Sequence, residues 1–231
     1  MSDIIELIKS RRTVKEFLSK YISHENLFRI IDAGRHAPSS GNIQNWKFIV
    51  INEKEKILQM AEASHQQLEI ASAPILVVVV GEPEKAKRYY GLRGERLFTI
   101  QNCAAAIENM LLEAHSLGIG SCWIGAFDED EVRSLCGIPE EIRPQAIIAF
   151  GYPKEIPNKP PKYPLETVVY FNNWRSKMRD ADKYMNDTAA ILARKFGAAK
   201  ETASDLMDKA KGSLRRENSE KIDGNSTQKE R

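Results

Sequence analysis

The sequence predicts a soluble protein of mixed helix and strand that continues into a polar extension. Three observations carry this reading. Short β-prone apolar runs at Trp46–Ile51, Ile75–Val80, Ser121–Phe127 and Pro144–Gly151 are separated by longer stretches with apolar residues at helical period. Ile75–Val80 is apolar at every position, the pattern of a strand covered on both faces. Past Trp174 the charge balance reverses. Residues 175–231 hold 14 Lys+Arg against 10 Asp+Glu, whereas residues 1–174 hold 20 against 22.

The chain has 231 residues, 42% hydrophobic and 29% charged, enough for one well-cored domain plus a tail. A net charge of +2 calls for no nucleic acid and no anionic membrane as partner. The longest apolar run, Ala73–Val80 with Pro74 inside it, is too short to span a bilayer. The N-terminal MSDIIELIKSRR lacks a charged-then-apolar leader pattern, so a cytoplasmic location is expected. Cys103, Cys122 and Cys136 are odd in number and fit no zinc or disulfide spacing, which makes them reduced thiols.

Taken in order, residues 3–10 place Ile4, Ile5, Leu7 and Ile8 on an amphipathic helix. It ends in the cation-rich Ser10-Arg11-Arg12-Thr13-Val14-Lys15-Glu16-Phe17. That run either coats a solvated helix end or grips a phosphate, for which an Arg fork beside a hydroxyl is suited. Ser23 caps a helix with Leu27, Ile30 and Ile31 inward, ending near Gly34. Ala37-Pro38-Ser39-Ser40-Gly41-Asn42-Ile43-Gln44 follows, a turn-forming loop of hydroxyls and amides at the mouth of the Trp46–Ile51 strand. Such a loop either holds a polar, planar ligand or simply joins helix to strand.

Glu53 to Ser64 reads as a helix, and Gly81-Glu82-Pro83 stops the central strand. Residues 82–97 have no assignable period; one reading is a mobile cover over a site. Leu97–Leu117 is the longest helix of the first 174 residues, with Cys103, Ile107, Met110, Leu111 and Ala114 on one stripe. Small residues Ala104–Ala106 would let another helix, or another subunit, approach closely. Cys103 and His115 fall on different faces of this helix, which argues against a Cys–His catalytic pair. Gly125, at the end of the Ser121–Phe127 strand, either ends the strand or lets backbone approach a flat ligand. Asp128 caps a short helix carrying Val132 and Leu135. After the Pro144–Gly151 strand, residues 153–164 are proline-rich and extended, with Lys159 and Lys162 exposed. Thr167–Phe171 reads as a terminal strand able to add to a partner's sheet. Residues 175–216 form a charged, partly helical extension with Ala203, Met207, Ala210 and Leu214 on a sparse stripe, and 217–231 a disordered tail.

Four of these segments, in order, resemble the FMN-dependent nitroreductase superfamily over about residues 4–174. Arg11-Arg12-Thr13-Val14-Lys15-Glu16-Phe17 is similar to its Arg-Arg-Ser-x-Arg-x-Phe opening. Ala37-Pro38-Ser39-Ser40-Gly41-Asn42-Ile43-Gln44-Asn45-Trp46 is similar to its Ala-Pro-Ser-x-x-Asn-x-Gln-Pro-Trp loop. Gly118-Ile119-Gly120-Ser121-Cys122-Trp123-Ile124-Gly125 resembles the strand that backs the flavin. Gly151-Tyr152-Pro153 with Lys159, Lys162 and Pro164 resembles the family's terminal phosphate-gripping arm. Three positions depart from the pattern. Asn45 replaces a proline, which is expected to loosen the loop while leaving Asn42 and Gln44 in place. Lys15 and Lys162 replace arginines, giving point charges instead of forks. Asn102 stands where many relatives have aspartate, at a helix position without an assigned role.

The resemblance implies an α+β fold, with a small mixed or antiparallel sheet flanked by helices, in an intertwined homodimer. It implies FMN at the subunit interface, with the phosphate on Arg11, Arg12, Thr13 and Lys15 of one chain and Lys159 and Lys162 nearby. Pro38, Ser39, Ser40, Asn42 and Gln44 of the other chain would hold ring and ribityl chain, with Trp123, Ile124 and Gly125 against the flavin. The implied activity is a ping-pong oxidoreductase using NADH or NADPH to reduce nitro compounds, quinones or a related small acceptor. No protein side chain serves as nucleophile or general base, and no metal is implied. Two alternatives stay open: a specialised flavin reaction such as reductive dehalogenation or flavin fragmentation, and a flavin-binding or interaction protein whose C-terminal tail carries the role.

Overall fold

The computed structural model of the protein describes residues 3–177, and the chain divides into two compact units, Met1–Pro160 and Pro161–Arg231. The helical extension and disordered tail expected beyond residue 177 lie outside the described residues.

In the first unit four strands, β1 (Trp46–Ile51), β2 (Ile75–Gly81), β3 (Gly120–Ile124) and β4 (Arg143–Gly151), form one sheet. Their order is β1-β2-β4-β3 and every neighbouring pair is antiparallel. Six helices accompany them: α1 (Ile4–Ser10), α2 (His24–Arg35), α3 (Lys54–Ala63), α4 (Pro83–Arg93), α5 (Thr99–Ser116) and α6 (Glu129–Cys136). β2 is buried along its whole length, as its unbroken apolar run predicts. Alternation sends Leu76, Val78 and Val80 to one face, with Ile57, Met60 and Val132, and Ile75, Val77 and Val79 to the other, with Ile30, Ile107 and Met110. Each such side chain contributes about 1.5–3 kcal/mol when fully buried, against about 0–1 kcal/mol for an exposed ion pair. The two-sided core around β2 therefore holds the fold.

α5 buries the predicted stripe of Cys103, Ile107, Met110, Leu111 and Ala114. Gly34 of α2 lies close against it: a Cβ added there would lie 2.7 Å from Met110 Cγ. Ser23 caps α2 as expected, accepting from the Asn26 N–H at 3.2 Å. Among the described residues no helix is long and apolar enough to cross a membrane.

Three local expectations are corrected. The unassigned stretch 82–97 is helical: Pro83 opens α4 at a position where its missing N–H costs nothing, and a π-turn over Gly94–Phe98 joins it to α5. Its helical period was hidden because α4 buries only Ala86 and breaks at Gly91, whose φ of 58° and ψ of −148° suit glycine alone. β3 ends at Ile124, short of the predicted Phe127. In the second unit, the strand expected over Thr167–Phe171 is replaced by a single helical turn, α7 (Leu165–Val168). Pro164 enters with φ −56°, and the Thr167 N–H and hydroxyl both donate to its carbonyl at 2.9 and 2.7 Å. That local closure outweighs the β-propensity of a short valine pair. Tyr170 keeps one bridge, to Lys177.

Candidate functional site

The loop between α2 and β1 is held in an uncommon backbone path. Gly41, Asn42 and Gln44 all have positive φ, at 54°, 57° and 45°. Non-glycine residues in that region cost about 1–3 kcal/mol each and persist only where the surroundings enforce them. Here the enforcement is polar. Ser39 Oγ accepts from the Gln44 N–H at 3.0 Å, and Gln44 Nε2 donates to Asn42 Oδ1 at 3.0 Å. Asn102 of α5 accepts from the Ser40 N–H at 3.0 Å and from its hydroxyl at 3.2 Å. A Cβ at Gly41 would meet the Tyr90 hydroxyl of α4 and force it to shift, and the φ of 54° adds to the preference for glycine there.

Asn45 does not loosen this loop. It is fully buried, its carbonyl accepts from the Glu82 N–H at 2.7 Å, and its side-chain amide is bonded at both ends. Oδ1 accepts from Asn102 Nδ2 at 2.8 Å, while Nδ2 donates to Thr99 Oγ1 at 3.0 Å and to the Glu82 carbonyl at 3.1 Å. A proline has no side-chain amide with which to make these bonds.

The cation-rich segment lies elsewhere. After α1 it runs extended against the sheet, with the Val14 N–H donating to the Ser121 carbonyl at 2.9 Å and Thr13 bridging Ser121. Gly120 and Gly151, register partners on β3 and β4, make room for it. A Cβ on Gly120 would lie 2.9 Å from Val14, and one on Gly151 2.7 Å from Phe17. Arg12 commits Nη1 to the carbonyls of Lys9, Ser10 and Arg11 at 2.8–2.9 Å. It thereby closes the end of α1 and meets any anion through its remaining donors. From the sequence His115 is weighed only as a partner for Cys103; in the structure its ring meets Ser10 instead. Ser10 Oγ lies 3.0 Å from Leu7 O, to which it can donate, and forms a 2.8 Å hydrogen bond with His115 Nε2 whose direction follows the imidazole tautomer. Burial, then the charges of Arg11 and Arg12, push the His115 pKa down. The imidazole is therefore neutral at neutral pH, and the electropositive character belongs to the arginines.

Beside this segment opens a cleft of about 740 Å³ lined by Thr13, Lys15, Glu16, Lys154, Glu155 and Pro157. Lys154 is paired with Glu16 at 2.9 Å, while Lys15 forms no ion pair with a described residue. Trp123 is 41% exposed and Ile124 is buried. Gly125 is exposed, and no atom lies within 4 Å of where its Cβ would be. Pro38 is exposed at the start of the loop, Lys159 is exposed in the proline-rich stretch, and Lys162 is exposed in the second unit. Cys103 is a core thiol, fully buried and pushed up to about 12 by that burial.

The predicted residues thus fall into two groups on one chain. Ser40 is bonded to Asn102 near the start of α5, whereas Ser10, beside Arg11 and Arg12, is bonded to His115 near its end. Thirteen residues of helix separate those attachment points, about 20 Å at 1.5 Å per residue.

Known proteins resemble this chain in both sequence and fold. The sequence model described as the nitroreductase family matches residues 8–82 and 66–152. A protein of Archaeoglobus fulgidus, provisionally named NADH dehydrogenase/NAD(P)H nitroreductase, is 36% identical over 159 residues, covering 67% of this chain and 88% of the relative. Among solved structures, a protein of Parabacteroides distasonis with the same provisional name has TM-score 0.67 at 26% identity, covering 75% of this chain and all of that one. An FMN-dependent nitroreductase of Clostridium difficile R20291 has TM-score 0.64 at 26% identity, covering 74% and 99%. With this fold, these motifs and these matches, the chain belongs to the nitroreductase family.

Proposed function

We propose that the chain is an NAD(P)H-dependent FMN oxidoreductase of nitroreductase type, acting on nitro compounds, quinones or a related small acceptor as a homodimer. The observation that carries this reading is the separation of its two polar groups along α5. A five-carbon ribityl chain, at about 1.5 Å per bond, covers only part of that distance. That separation favours a site shared between two copies, one supplying the cations and the other the loop. Ile4, Ile5 and Ile8 of α1 and Phe28 of α2 remain exposed and offer such a copy an apolar face to cover.

The residues present fit FMN. Arg11, the remaining donors of Arg12, the Thr13 hydroxyl and Lys15, with Lys159 as a further cation, suit a phosphate dianion. Ser39, Ser40, Asn42 and Gln44 offer hydroxyls and amides to the polar edge of a flavin and its ribityl hydroxyls, and Pro38 stiffens the loop's entry. The open space at Gly125 admits a flat ring against backbone, with Trp123 and Ile124 adjoining it. Bound FMN would supply the redox chemistry, accepting a hydride from NADH or NADPH and passing the electrons to the acceptor. The chain's own contribution is orientation: a fixed anchor for the phosphate and a pre-shaped loop for the ring. No side chain is needed as nucleophile or base.

Purified protein reconstituted with FMN and mixed anaerobically with NADPH or NADH is expected to lose its flavin absorbance and regain it on addition of a quinone or nitroarene. Protein that takes up no FMN rules out the cofactor. FMN that binds but never bleaches leaves a binding protein in place of an enzyme.

A further inference from the structure

We propose that Asn102 is a positioning residue for the loop Ser39–Gln44, holding it through a hydrogen-bond chain whose direction is set at both ends by main-chain groups. The inference rests on the reading of that loop as the flavin contact. An amide side chain has a donor end and an acceptor end, and which faces which is decided by neighbours that can play one role only. At one end the Ser40 N–H can only donate, so Asn102 presents Oδ1 to it at 3.0 Å. That turns Nδ2 toward Asn45 Oδ1 at 2.8 Å. Asn45 then presents Nδ2 to the Glu82 carbonyl, which can only accept, at 3.1 Å, and to Thr99 Oγ1 at 3.0 Å. Thr99 passes its own hydrogen to the Gly94 carbonyl at 3.0 Å. Every link agrees in direction from the loop to both ends of α4.

Asn45, Thr99 and Asn102 are each at most 3% exposed, so water does not readily replace a missing partner. Asn102 thereby fixes Ser40 at the entry to the positive-φ turn. An aspartate at 102 would still accept from Ser40 but would set an acceptor against Asn45 Oδ1. The two asparagines are thus a matched pair.

The test uses the full chain with FMN and with riboflavin, which lacks the phosphate. Asn102→Ala is expected to weaken both flavins alike, by about tenfold. Asn102→Asp keeps the acceptor for Ser40 and is expected to restore flavin affinity to within about threefold of the original chain, even where its melting temperature falls. Amide hydrogen exchange without flavin gives a second reading: the Ser40 N–H should exchange faster in the alanine variant and not in the aspartate variant. If Asn102→Ala does not fold, the isosteric Thr99→Val replaces it, with a weakening of about threefold expected for both flavins. Equal losses in the alanine and aspartate variants, or no loss in either, overturn the positioning role. If the unsubstituted chain binds neither flavin, the flavin reading fails, and Ser40 exchange alone decides whether Asn102 holds the loop.

Discussion

Arg11 and Arg12 are adjacent and alike in sequence, yet the structure gives them different roles. Arg12 threads Nη1 among three carbonyls at the end of α1, while Arg11 bonds the helix through its main chain only, N–H to Leu7 O at 3.2 Å. Replacing Arg11 by alanine is therefore expected to weaken FMN by about 1.5–3 kcal/mol, roughly ten- to hundredfold, with little change in melting temperature. Arg12→Ala should lower both FMN affinity and thermal stability, because three carbonyls lose their donor. Riboflavin binding should be indifferent to Arg11→Ala. Titration with the two flavins, alongside thermal melts of both variants, separates these outcomes. A fall in riboflavin affinity equal to that of FMN would remove Arg11 from the phosphate. The pairing of Ser10 with His115, on which this corner also rests, joins residues 105 apart in sequence, and no local pattern could have announced it.

At the scale of elements, what could be read from the chain was what local physics decides. β2 announced itself by six apolar residues in a row, α2 by the Ser23 cap, α5 by its stripe, and the loop by its run of turn formers. What could not be read depends on distant partners. The period of α4 was masked because one alanine is its only buried residue. Asn45 looked like a weakness until Thr99, Asn102 and Glu82 were seen around it. Gly120 and Gly151 are opposed glycines over which Val14 and Phe17 cross, a pairing that only the sheet register brings about. The same crossing places Thr13 beside Ser121 of β3. Gly120→Ala places a Cβ against the stiff Val14 side chain and is expected to destabilise the fold by about 1–3 kcal/mol. Gly125→Ala, only five residues on, meets nothing within 4 Å. It should leave the stability of the flavin-free protein within about 0.5 kcal/mol yet weaken FMN and riboflavin alike. Denaturant melts and flavin titrations of the two variants give the contrast; a Gly125→Ala variant with unchanged flavin binding would move the ring away from β3.

At the scale of the whole molecule, the two polar groups tethered near opposite ends of α5 make a strong demand on assembly. If each site takes its cations from one subunit and its loop from the other, damage to the two groups must complement between chains. Consider one chain carrying Arg11→Ala with Lys15→Ala, and another carrying Ser40→Ala with Asn42→Ala. Each homodimer has the same defect in both of its sites. A heterodimer has one site with both defects and one with none. Co-expression, or mixing after mild dissociation, should therefore recover roughly a quarter of the sites of the unsubstituted protein, the share expected from random pairing of equal amounts of the two chains. The readout is FMN bound at a concentration too low to load either homodimer, with NADPH-dependent quinone reduction followed in parallel. Sites built within one chain would recover nothing, because every chain in the mixture is defective. Recovery in proportion to heterodimer content, measured with differently tagged chains, would show that the cation-rich segment of one protomer and the serine-asparagine loop of its partner make one site.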